Sequence, residues 1–109
     1  MTHFLIAQVK VNDDSWIPEY ATHVHEMVHR HNGKYLSSSD NITTIEGSAS
    51  EANLVAIIEF PTMEDLNGLI SDPEYAPFAK ARREGTDSSL IAIDSVDAAG
   101  TIPYLDSNG

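Results

Sequence analysis

The chain has 109 residues, enough for one domain, and no cysteine, which excludes a disulfide framework and thiol chemistry. Seventeen acidic against six basic side chains leave a net charge of −11. That charge repels nucleic acid and anionic membrane surfaces before contact, so neither is expected as a partner.

The start, MTHFLIAQVKV, is apolar but lacks a basic leader and a small-residue cleavage site, and no run approaches the length of a membrane span. The expectation is a cytoplasmic protein whose first strand is FLIAQVKV (4–11). NDDS (12–15) offers N-cap residues, Pro18 suits a first turn and Gly33 a C-terminal stop, so a helix fills the interval. KYLSSS (34–39) predicts a short polar edge strand, and NITTIEG (41–47) its extension or a hairpin arm. NLVAIIEF (53–60) has the strongest strand pattern in the chain. Thr62 with Asp65 three residues on approximates a capping box and opens a second helical region. That region restarts at SDPEY (71–75), with Asp72 as cap and Pro73 at the first helical position, and runs to Gly85. SLIAIDSV (89–96) predicts the fourth strand. The domain spans 1–97, and residues 98–109 form a C-terminal tail.

The order β-α-β-β-α-β makes this an α+β protein on the ferredoxin-like plan: a four-stranded antiparallel sheet with its helices on one face. Alternation along the strands assigns Leu5, Ala7, Val9 and Val11, then Leu54, Ala56, Ile58 and Phe60, to the helix-covered face. On strand four the same reasoning places Ile91, Ile93 and Ser95 there, and Leu90, Ala92, Asp94 and Val96 on the other side. The uncovered face is then apolar too, through Phe4, Ile6, Val55, Ile57 and Leu90. A soluble monomer avoids such a patch, and sheet-to-sheet pairing of two copies covers it, so a homodimer is expected. Gln8, Glu59 and Asp94 are polar groups in that layer. Desolvation there would suit Glu59 to general acid–base work, whereas pairing with Lys10 or simple solvation would make it structural.

HEMVH (25–29) matches the H-E-x-x-H zinc signature, in which two histidines one turn apart hold the metal. At roughly 100° per residue, Ile17, Tyr20, Val24, Met27 and Val28 gather on the core side of the helix. His25 and His29 fall opposite, toward water, whereas a catalytic zinc needs a walled cleft, a third ligand and oriented partners. The extended motif also fails, since Asn32 and Tyr35 stand where it needs glycine and histidine. The match is therefore attributed to chance, with no metal site and only an adventitious surface pair. Lys80, Arg82 and Arg83 hold half of the positive charge in the last turns of the second helical region. They complement the helix dipole or bind an anion. Tyr75, Phe78 and Ala79 form that helix's core side. No glycine-rich phosphate loop, dinucleotide fingerprint or Ser-His-Asp order is present.

LIAQVKV, NGKYL, VAIIEFPTME and SDPEYAPFAKARREGTDSSLIAID, in that order over residues 3–96, resemble the domain of unknown function 1330 family of the dimeric α/β-barrel superfamily. The resemblance implies a ferredoxin-like protomer joined sheet to sheet in a homodimer. Superfamily members include cofactor-free monooxygenases, lactone isomerases, polyketide cyclases and haem-degrading enzymes, each with a pocket in the protomer. Residues at the family's recurring positions are Gln8, Tyr20, Tyr35, Glu59, Phe60, Tyr75 and Arg83. The implied function is a small-molecule enzyme without a tightly held cofactor. In it Glu59 is the acid–base residue, Arg83 an anion anchor and Tyr75 a hydrogen-bond donor, with Gln8, Tyr20, Tyr35, Phe60 and Asp94 about the ligand. The alternatives are a dimeric binding module without chemistry and, remotely, a zinc hydrolase through HEMVH.

Overall fold

A computed structural model describes residues 1–99. The chain runs through strand β1 (His3–Val11), helix α1 (Ile17–Arg30), strands β2 (Lys34–Ser39) and β3 (Leu54–Phe60), helices α2 (Met63–Ile70) and α3 (Ala76–Gly85), and strand β4 (Thr86–Asp94). The strands lie in the order β2-β3-β1-β4, and each neighbouring pair is antiparallel. This is the expected ferredoxin-like sheet. Most of the tail expected over 98–109 lies outside the described residues.

The long apolar strands β1 and β3 pair at the centre, Leu5 opposite Ile58 and Ala7 opposite Ala56. Their helix-facing side chains meet Val24, Met27 and Val28 of α1, Leu66 and Leu69 of α2, and Ala79 of α3 in one buried cluster, which also takes in Tyr75 just before α3. Thr62 caps α2 by accepting from the Asp65 amide at 3.1 Å. Asn32, not Gly33, takes the left-handed conformation that ends α1, with φ of 65°. Gly33 is needed for space, because a Cβ there would fall 2.6 Å from Phe60 Cε1.

Other expectations give way to tertiary structure. NITTIEG forms no strand: β2 stops at Ser39, and a loop continues to Asn53, whose side chain accepts from Val11 N at 2.8 Å. SDPEY is a turn and not a helix start. Asp72 accepts from the Glu74 amide at 2.9 Å, and the helix begins only at Ala76, with Pro77 in its first turn. α1 starts after Trp16 without a side-chain cap, because Asp13 accepts from the nearby Ser15 amide instead.

Strand β4 faces the other way from the sequence assignment. Its register sets Leu90 opposite Ala7 and Ala92 opposite Leu5, on the helix side, and Ile91 opposite Ile6 on the open side. Both alternating sets in LIAI are apolar, so side-chain pattern cannot orient this strand; only pairing with β1 does. Ile91 and Ile93 are accordingly about half exposed, at 53% and 50%. The open face remains apolar, through Phe4, Ile6, Val55, Ile57, Ile91 and Ile93.

Candidate active-site cavity

Ala7 and Ala56 lie directly across from one another beneath α1, and a one-carbon side chain on each central strand leaves the sheet floor low. The result is a cavity of about 640 Å³ between sheet and helices, in the range that takes a small organic molecule. Leu5, Val9, Leu54, Ile58 and Leu90 complete its floor, and Ile17, Tyr20, Val24 and Val28 of α1 form its roof. The exposed members of the lining, Ala21, His25, Ser38, Asp40 and Asn53, mark its mouth.

A few polar groups are set into this apolar lining. Tyr20, one turn above Val24, stands edge-on between Trp16 and Tyr75, with ring centroids 5.0 and 6.4 Å away. Its hydroxyl lies 3.1 Å from that of Tyr75. Burial above all, then the Tyr75 hydroxyl, pushes the Tyr20 phenol above its ordinary range, while the nearby Arg82 guanidinium pulls partly the other way. Burial likewise pushes Tyr35 up to about 12. Both phenols are therefore neutral at physiological pH, each with a hydroxyl hydrogen available for donation.

Strand β2 reaches the site through an irregularity. Tyr35 pairs with Ile58, but the register then slips, so that Ser37 faces Ile57 and Ser38 faces Ala56. The extra residue turns both Tyr35 and Ser38 into the cavity. The Tyr35 ring lies parallel to that of His25, 2° apart at 4.7 Å. His25 is exposed, as expected, but its flank of the helix is not bare. A helical wheel fixes its angle about α1 but not the neighbours on that flank, and β2 brings Tyr35 under it. His25 and His29 stand 4.8 Å apart, edge to face. Among the described residues no three histidine or carboxylate side chains are placed to hold a metal ion.

The structure divides the sequence-derived candidates. Tyr20, Tyr35 and Tyr75 come together on the cavity. Glu59 does not: it sits on the open face, opposite Phe4 on one side and Lys34 on the other, and Lys10 pairs instead with Glu51 at 3.7 Å. Phe60 is fully buried in the core and Asp94 is exposed near the end of the sheet, where it accepts from Val96 N. Gln8 and Arg83 meet in a separate polar cleft of about 560 Å³ with Lys10, Glu51 and Asp87. The residue that sequence reasoning named only within a cluster is Arg82. It is 7% exposed and lines the cavity, and its Nη1 donates to Ser88 Oγ at 2.6 Å. Its place four residues before Thr86, on the buried flank of α3, was the available signal, since Ala79 and Arg82 lie one turn apart.

An antiparallel sheet roofed by helices defines a ferredoxin-like α+β protein, here with a small-molecule-sized cavity beneath its helices. The model of the family described as domain of unknown function DUF1330 matches residues 2–96, and the chain belongs to that family. A search of the curated proteins found no match. Among solved structures, the chain is similar to RPA0582 of Rhodopseudomonas palustris, a protein of unknown function, at 18% identity and a TM-score of 0.73 over 88% of this chain and 83% of that one. It is similar to SnoaB of Streptomyces nogalater, a cofactor-independent oxygenase, at 12% identity and a TM-score of 0.62 over 88% and 94% of the two chains. A dimeric ferredoxin-like protein of unknown function from Bacteroides fragilis aligns at 14% identity and a TM-score of 0.50, over 85% and 95%. These likenesses establish the fold. Among the described residues no helix is long and apolar enough to cross a membrane.

Proposed function

We propose that the protein is a small-molecule enzyme that works in this cavity without a tightly held cofactor. Its chemistry would be of the isomerase, cyclase or monooxygenase type, in which negative charge develops on a substrate oxygen. The observation that carries this reading is the hydrogen-bonded Tyr20–Tyr75 pair, two hydroxyls set into an apolar lining. Donors fixed in a dry site stabilise a developing oxyanion without having to reorganise. Tyr20 and Tyr75 are the proposed donors, and the stacked His25 and Tyr35 rings form one wall of the mouth. Glu59 and Arg83 have no part in this site. That SnoaB, a cofactor-independent oxygenase, shares the fold supports the reading by analogy alone.

One feature favours a second reading, a binding module without turnover. The lining's one imidazole and one carboxylate, His25 and Asp40, both stand at the exposed mouth and not beside the tyrosine pair. Incubation with a metabolite library, followed by mass spectrometry, separates the two. Conversion of a retained compound that falls about a hundredfold or more in Tyr75→Phe supports the enzyme. Retention without conversion supports the binding module, and conversion untouched by Tyr75→Phe overturns the proposed site.

We further propose that two copies pair through the open sheet face. Its six apolar side chains support this, as does the description of a fold neighbour as dimeric.

A further inference from the structure

Arg82 is 7% exposed, and the described residues place no carboxylate within ion-pair distance of it. Its Nη1 is bound to a neutral hydroxyl, that of Ser88, and its Nε is buried with no hydrogen-bond partner in the protein. A guanidinium held out of water in this state is costly, because neither opposite charge nor a full set of acceptors offsets its desolvation. The side chain lines the main cavity and also a neighbouring one of about 470 Å³ bounded by Leu66, Ile70 and Ile91.

The tyrosine pair leaves a second unmatched donor in the same place. Two hydroxyls in one hydrogen bond use a single hydrogen between them, and neither Tyr20 nor Tyr75 has another partner for its oxygen. The inner cavity thus presents donors in excess. Its one carboxylate, Asp40, is at the exposed mouth.

We propose that the cavity recognises a small organic acid as its carboxylate anion, with Arg82 as the anion-binding residue. The apolar body lies over the Ala7–Ala56 floor, and the spare phenolic hydrogen donates to the same ligand. This rests on the cavity being the functional site, and it adds the charge and class of what enters. A paired ligand would complete the guanidinium with two parallel N–H···O bonds, which an arginine offers and a lysine does not.

The test compares naphthalene carboxylate with its uncharged amide by calorimetry on the unmodified chain, then on Arg82→Met and Arg82→Lys. The expected result is carboxylate binding about 10- to 100-fold tighter than the amide, a preference lost in Arg82→Met and only partly kept in Arg82→Lys. Arg82→Met should also melt no lower than the parent, because it removes a desolvated charge; a purely structural arginine would lower the melting temperature and leave the preference intact. Equal binding of acid and amide overturns the anion assignment but leaves the cavity reading standing. Failure of the carboxylate to bind at about 1 mM, the weak end for such a probe, overturns it as well. Carboxylate binding unaffected by filling the cavity with Ala56→Leu would place the anion elsewhere and count against the cavity itself. The acid-over-amide ratio needs no variant, so the outcome does not depend on Arg82→Met folding.

Discussion

Ala7 of β1 faces Ala56 of β3 directly across the central pairing of the sheet, and the low floor of the cavity follows from that juxtaposition. Neither alanine is required by the backbone, since their strand neighbours Leu5, Val9, Leu54 and Ile58 are large. Ala56→Leu adds three carbons to the hollow. At about 0.8 kcal/mol per buried methylene, it is expected to stabilise the chain by up to about 2 kcal/mol where the space accepts the new side chain without strain. The same change should abolish ligand binding. Urea unfolding together with calorimetry checks both; a destabilised variant that still binds would disprove the geometry.

The raised phenols make stability fall in alkali. Tyrosine in an unfolded chain ionises near pH 10, roughly, while Tyr35 in the folded chain ionises at about 12. Between those values the folded state binds more protons than the unfolded one, so unfolding free energy decreases as pH rises. Tyr20, shifted in the same direction, extends the loss to higher pH. Ultraviolet titration of the native protein should show at least two phenols ionising late. Denaturant unfolding of Tyr35→Phe should lose part of the alkaline slope.

At the other end of the scale, His31 Nε2 lies 2.8 Å from Asp72 Oδ2 and ties the end of α1 to the turn before α3. That bond first, then the Glu74 amide, holds the Asp72 carboxyl below the usual carboxylate range, with the Arg30 charge adding to it. A depressed acid pKa contributes stability that is complete above about pH 4 and is lost as pH falls through the folded-state value. Asp72→Asn should therefore lower the melting temperature at neutral pH and flatten the pH dependence of stability below about pH 4. A full acid slope in the variant would show that other carboxylates carry it.

Exposed Ile91 and Ile93 sit across from Ile6 and Phe4 on the open side of the sheet. If that face joins two copies, Ile91→Lys with Ile93→Lys buries two charges against an apolar partner and should convert a dimer to monomer in sedimentation. The circular dichroism of the fold should stay unchanged, since both side chains point away from the protomer core. A parent chain that sediments as a monomer at high concentration would remove the proposed pairing.

Much of the fold was legible in the residues because it depends on local chemistry. Apolar runs of strand length, the Thr62 cap and the apolar stripe through Val24, Met27 and Val28 each act within a few neighbours. One other local signal misled. Pro73 after Asp72 reads as a helix start, yet Asp72 is engaged by His31, forty-one residues away in the chain, and the segment turns instead. Asp, Asn and Ser make turns and caps with the same bonds, so their local context does not choose between them.

Of the candidate site, the three tyrosines were nominated from sequence, while Arg82 was hidden behind its neighbour Arg83. Two adjacent arginines on a helix differ by about 100° in direction, and only the packing of α3 on β4 sends one inward and the other to solvent. Composition, charge and alternation by themselves determined an acidic chain with a ferredoxin-like strand-and-helix plan and two apolar sheet faces. Which way β4 turned, where a hollow opened beneath α1 and which arginine was buried were decided by tertiary structure alone. Each depends on register and contact between segments far apart in the chain, and those carry no local signature.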